Sequence, residues 1–106
     1  MKFKIHVTSQ AENDLRSIYE YIAFTLIEPH IALKLLTRIE AGILSLDEMP
    51  DRFRVYEIEP WVSLGLRQMV VENFIVFYTS NHQDHSVNII RILYGGRDTA
   101  AQLNSI

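Results

Sequence analysis

Two apolar runs, Leu66 to Val71 and Phe74 to Thr79, are separated only by Glu72-Asn73. A two-residue connection of this kind closes a β-hairpin and fixes the register of the strands it joins. Val71 then faces Phe74, Met69 faces Val76, and Arg67 faces Tyr78. Side chains directly opposite one another share a face and touch. One face therefore carries Met69, Val71, Phe74 and Val76 beside a polar pair of Arg67 with Tyr78, and the other carries Leu66, Val70, Ile75 and Phe77. Both faces are mainly apolar, so a chain of 106 residues must find an amphipathic layer elsewhere to cover at least one of them.

Two stretches supply that layer. Ser9 before Gln10-Ala11-Glu12 has the spacing of a capping box, and Ala11, Leu15, Ile18, Tyr19 and Ile22 recur every three or four residues, which predicts a helix to about Phe24. Pro29 suits the first turn of a second helix, where its missing N–H costs nothing. Ala32, Leu35, Leu36, Ile39, Ile43 and Leu46 mark its apolar stripe, and it should stop before Pro50. The short connection from Thr25 to Glu28 makes the two an antiparallel hairpin. Phe3, Ile5 and Val7 alternate with Lys2, Lys4 and His6, the period of a half-buried strand. Arg54 to Glu59 and Val87 to Tyr94 read as further strands, and Thr99 to Leu103 as a short closing helix capped by Asp98 or Thr99. The expected fold is a single α+β domain over residues 1–106, with the helix hairpin on one face only of an antiparallel sheet that includes Lys2 to Val7. The face bearing Met69, Val71, Phe74 and Val76 is expected to be left bare, open to a partner and prone to self-association.

Composition removes several classes of function. Without Cys there is no disulfide and no thiolate metal site. The N-terminus lacks the apolar core of a signal peptide, and nothing approaches the roughly 20 apolar residues that span a bilayer, so a cytoplasmic address with no membrane contact is expected. Ten Lys and Arg against thirteen Asp and Glu give a net charge of −3, which disfavours a broad phosphate-gripping surface. Residues 61–106, however, hold their positive charge only as Arg67, Arg91 and Arg97, the side chain suited to bidentate recognition of carboxylate or phosphate. His82-Gln83-Asp84-His85 reads as a solvated turn, since zinc needs three or four converging ligands. No nucleophile elbow, phosphate-cradling glycine loop or usefully spaced carboxylate pair is visible. No cofactor is expected.

The motifs with most information are Gly65-Leu66-Arg67, the strand Phe74-Ile75-Val76-Phe77-Tyr78, and Ile90-Arg91-Ile92-Leu93-Tyr94-Gly95-Gly96-Arg97-Asp98, which follow a first helix carrying Ala11, Asp14-Leu15, Ile18, Tyr21 and Ile22 and a second helix ending over Leu46 to Pro50. In order and spacing, over nearly the whole chain, they resemble the RelE/ParE family of bacterial toxins. Arg54-Val55-Tyr56 through Pro60-Trp61 and the Gly-Gly-Arg-Asp end resemble its ParE branch, the plasmid stabilisation proteins, more than its RelE branch. The resemblance implies a toxin of a type II toxin-antitoxin module, neutralised by a cognate antitoxin. RelE-like members cut messenger RNA on the ribosome, with Arg and Lys stabilising the charged transition state and acid–base help at the ribose hydroxyl. Carried over by position, Arg67 and Arg97 match the family's phosphate-facing arginines, and Tyr94 stands near where many members have His, with Tyr78 as the alternative. Tyrosine, with an ordinary pKa of about 10, is a poor base at neutral pH. Glu57 and Glu59 stand where ribonucleolytic members tend to be basic. ParE-like members instead inhibit DNA gyrase through a protein contact, which requires no catalytic set.

Three functions follow as expectations. The first is a non-catalytic toxin that inhibits a protein target such as gyrase. The second is a ribosome-dependent ribonuclease using Arg67, Arg97, Tyr94 or Tyr78, and the third a non-toxic homologue that only binds the antitoxin. The expected partner-binding surface comprises Met69, Val71, Phe74, Val76 and Trp61, with no metal. Beside these stand structural accounts: Arg67 laid along Tyr78 with its head in water, Arg97 paired with Asp98 or a helix end, Arg91 the cross-strand partner of a carboxylate, and Trp61 anchoring its loop.

Overall fold

The computed structural model describes residues 2–96 and 99–104. Strand β1 (Lys4–Val7) leads into helix α1 (Ser9–Glu20), whose last turn loosens into a π-helical segment at Tyr21–Thr25. Helix α2 (Pro29–Leu44) begins on its proline, as the sequence predicts, and two short 3-10 turns, Ser45–Asp47 and Pro50–Arg52, follow it. Then come β2 (Arg67–Val71), β3 (Phe74–Asn81), β4 (Ser86–Tyr94) and the short helix α3 (Thr99–Asn104). Thr8, one residue before the predicted Ser9, caps α1: its hydroxyl oxygen accepts from Ala11 N at 3.2 Å and donates to Ile89 O at 2.8 Å, which ties the helix start to β4.

The four strands lie in the order β1-β4-β3-β2. The hairpin register is the one the two-residue turn demands: Arg67 opposite Tyr78, Met69 opposite Val76, Val71 opposite Phe74. β1 pairs parallel with β4, while the other pairings are antiparallel. The segment expected as a strand from Arg54 to Glu59 forms only a single bridge, Val55 to Arg67, and then leaves the sheet. Its apolar residues alternate too weakly to hold a ladder against Pro60 and the turns that follow.

The expected bare face is corrected by the structure. Met69 and Val76 are 3% and 0% exposed and lie beneath the hairpin of α1 and α2, in one core with Ala11, Ile39, Ile43, Leu46, Tyr78 and Ile92. The approach is close enough that a methyl placed on Gly42 of α2 would stand 3.2 Å from both Met69 Cε and Val71 Cγ2. The opposite face is partly covered as well, although Val70 at its β2 edge is 67% exposed. Leu66, Phe77 and Leu93 are covered there by Tyr56, half-buried Trp61 and Leu103 of α3, so a helix touches each face and the sheet carries a second, smaller core. No helix among the described residues is long and apolar enough to cross a membrane.

Candidate functional site

Arg67 and Tyr78 are neighbours in register but do not form the polar pair that their opposition suggests. Burial forces the Tyr78 hydroxyl to find an acceptor, and it donates to Pro50 O at 2.6 Å. Arg67 turns to the same segment: Nη1 donates to Phe53 O at 2.7 Å and to Asp51 O at 3.1 Å, and Nε lies 3.4 Å from Asp51 Oδ1. Ser80 donates to Asp51 Oδ1 at 2.6 Å, and His82 Nε2 lies beside Oδ2. The strand side chains thus clamp the turn at residues 50–53. The Ser80 hydroxyl, together with His82 and Arg67, holds the Asp51 carboxyl below the usual carboxylate range, against the opposing effect of burial.

Burial pushes the Tyr78 phenol up to about 12. A folded-state pKa raised above the unfolded value contributes stability that is complete below about pH 10 and is lost as pH rises toward about 12. Urea unfolding of Tyr78→Phe should show a loss of about 1–3 kcal/mol near pH 8, where Pro50 O loses its donor, and a smaller further loss by pH 11 than wild type shows. Equal alkaline losses in the two proteins would remove Tyr78 as the cause.

Tyr94 stands at the other end of the sheet. It pairs with Phe74, whereas Arg67 pairs with Tyr78, so four residues of strand, about 13 Å, separate the two rows. Its ring meets Phe74 edge-on at 5.7 Å. Of the glycines that follow, Gly96 has a packing reason, since a Cβ there would fall 2.5 Å from the Tyr94 ring, while Gly95 N donates to Asn73 O at 2.8 Å. Arg97 lies outside the described residues. Trp61 is half-buried and donates from Nε1 to Asn104 Oδ1 at 3.2 Å, anchoring the loop to α3.

The carboxylate expected across the strands from Arg91 comes instead from α1, and beside it lies a groove that the sequence did not foresee. Asp14 accepts Arg91 Nε at 2.7 Å and Ile92 N at 2.9 Å on one oxygen and Arg91 Nη2 at 3.0 Å on the other. This pins α1 to β4 next to the irregularity where Phe77 and Tyr78 change register. The signal was present, since Asp14 lies three residues after Ala11 and four before Ile18, inside the apolar stripe, where a carboxylate demands a partner. Beside this pin opens a groove of about 700 Å³ between α1, the π-helical turn and the ends of β4 and α3, with Ile18, Tyr21, Leu26, Phe74 and Tyr94 among its walls. Such a mainly apolar cleft with one fixed charged pair suits an apolar peptide segment. Of the expected partner-binding residues, the groove contains Phe74 alone.

The sequence model described as ParE toxin of type II toxin-antitoxin system, parDE, matches residues 5–99. No curated protein matches the chain significantly. Among solved structures, the chromosomal ParDE TA system from P. aeruginosa is similar with a TM-score of 0.72 at 24% identity, over 88% of this chain and 96% of that one. The toxin-antitoxin complex RelBE2 from Mycobacterium tuberculosis gives 0.62 at 17% identity, over 89% and 99% of the two chains. A mutant of the E. coli toxin RelE in the free state gives 0.65 at 11% identity, over 100% and 99%. The α+β arrangement is common to all three, and with the family match spanning almost all of the sequence the chain belongs to the ParE toxin family of type II toxin-antitoxin systems.

Proposed function

We propose that this toxin acts by binding a protein target, DNA gyrase being the one the ParE branch implies, and that a cognate antitoxin neutralises it by seating an apolar segment in the groove between α1 and the end of β4. The engagement of Arg67 carries this reading. Its guanidinium is held toward the turn, with Nη1 on the carbonyls of Asp51 and Phe53 and Nε beside the Asp51 carboxylate, and its side chain is 24% exposed. A phosphate-stabilising arginine needs free donors aimed at the developing charge. Acid–base catalysis needs a group that titrates near the working pH, whereas Tyr78 is pushed up to about 12 and occupied by Pro50 O. Tyr94 stands four strand residues, about 13 Å along the backbone, from that row, with its ring packed on Phe74. Binding a protein asks for none of these groups.

The purified chain should inhibit supercoiling by DNA gyrase in a dose-dependent way, and its induction in cells should raise the DNA-damage response while transcripts stay whole. Cut messenger RNA on purified ribosomes, with supercoiling unaffected, would return Arg67, Arg97, Tyr94 and Tyr78 to a ribonuclease site. Unaltered growth on induction would favour a homologue that only binds its antitoxin.

A further inference from the structure

The outer end of the helix hairpin is apolar and strained at once. Between Glu20 and Glu28 the chain runs seven residues without a charge. Phe24 and Ile27 are 69% and 78% exposed, Tyr21 and Leu26 about half, and Ile31 and Leu33 of the adjoining first turns of α2 are 54% and 57% exposed. These are six of the thirteen large apolar side chains left in water among the described residues, gathered within residues 21–33. The backbone there is irregular too. Tyr21–Thr25 is π-helical, a form that recurs at functional sites, and Ile27 holds φ at 54°, a left-handed conformation that a β-branched residue adopts only against steric resistance. Glycine or asparagine would sit there with less strain and would not present a sec-butyl group to solvent.

We propose that this tip is a self-association surface and that its occupant is a second copy of the same chain, docked tip against tip about a two-fold axis. Area is the first argument. With aromatic side chains of roughly 200 Å² each, the six residues leave on the order of 600 Å² in water. Two tips together reach about 1,200 Å², just above the ~1,000 Å² that a specific interface needs and within the weak, reversible range. Charge is the second argument. A two-fold interface sets each surface against itself, so like charges at its centre would repel, and this centre has none. Glu20, Glu28 and Lys34 stand at the rim and form no ion pair among the described residues, so Glu28 of one copy can meet Lys34 of the other. Tyr21 and Leu26 also line the groove, which makes the dimer and a groove-bound segment competitors for two side chains.

Sedimentation of the purified full chain from about 1 to 200 µM tests this. Monomer at the low end and dimer at the high end are expected, with a dissociation constant on the order of 10 µM for an interface of this size. Phe24→Glu and Ile27→Gly should each weaken the dimer tenfold or more. Val70→Glu, at a residue 67% exposed on β2, should dimerise as wild type does. Should Phe24→Glu lose its fold by circular dichroism, Ile27→Gly, which relieves strain, decides the matter alone. A wild-type chain monomeric throughout, a dimer indifferent to both tip variants, or one broken equally by Val70→Glu would overturn the proposal.

Discussion

Asp14→Ala should destabilise the fold by about 3–5 kcal/mol, the usual cost of removing one partner from a buried ion pair. The pair is well enclosed, with the Arg91 and Asp14 side chains 16% and 14% exposed, and the carboxylate also satisfies the amide of Ile92. Its removal strands a guanidinium and a backbone N–H between α1 and β4 at the wall of the groove, where water replaces only part of what the carboxylate satisfied. Urea unfolding should show the midpoint falling with the slope unchanged, as for a loss of native-state stability alone. The double variant Asp14→Leu/Arg91→Met should recover most of the loss, because an apolar pair of similar volume leaves no buried charge unpaired. A single variant within about 1 kcal/mol of wild type would mean that the pin is already solvated.

Phe77→Ala should cost a comparable ~3–5 kcal/mol, but through packing. Phe77 is fully buried, meets Tyr56 edge-on at 5.3 Å, and lies in the smaller core with Leu66, Leu93 and Leu103. The cavity left would lie under α3 and the loop through Trp61, while the larger core beneath α1 and α2 keeps its contacts. Amide exchange should therefore quicken most in residues 99–104 and in the loop at residues 54–66, with α1 and α2 following only the global loss of stability. Uniform acceleration across both helix layers would show that the two cores unfold as one.

Much of this architecture could be read from local pattern. The turn Glu72-Asn73 dictated the register of β2 with β3, because side chains alternate with a period of two and a two-residue connection allows no slip. The start of α2 at Pro29 and the stripe through Ile39, Ile43 and Leu46 were legible for the same kind of reason. The alternation says which residues share a face but not which face the helices take. With Met69 and Val76 on one side and Leu66 and Phe77 on the other, both sides were equally apolar, and the choice fell to the crossing of α2 over β2 at Gly42. Arg54 to Glu59 looked like a strand and became cover for the second core, since one bridge to Arg67 does not sustain a ladder. The roles of Arg67 and Tyr78 were hidden for a different reason. Their partners are backbone carbonyls of residues 50–53, separated from them by 14 to 28 positions, and every residue type offers a carbonyl, so sequence carries no trace of which one a buried donor will find. Residue order alone determined the two long helices, the register of β2 with β3 and the family's motifs; tertiary structure decided whether Arg54 to Glu59 joins the sheet, which face is covered, which arginine is occupied and where a groove remains, because those depend on contacts between segments far apart in the chain.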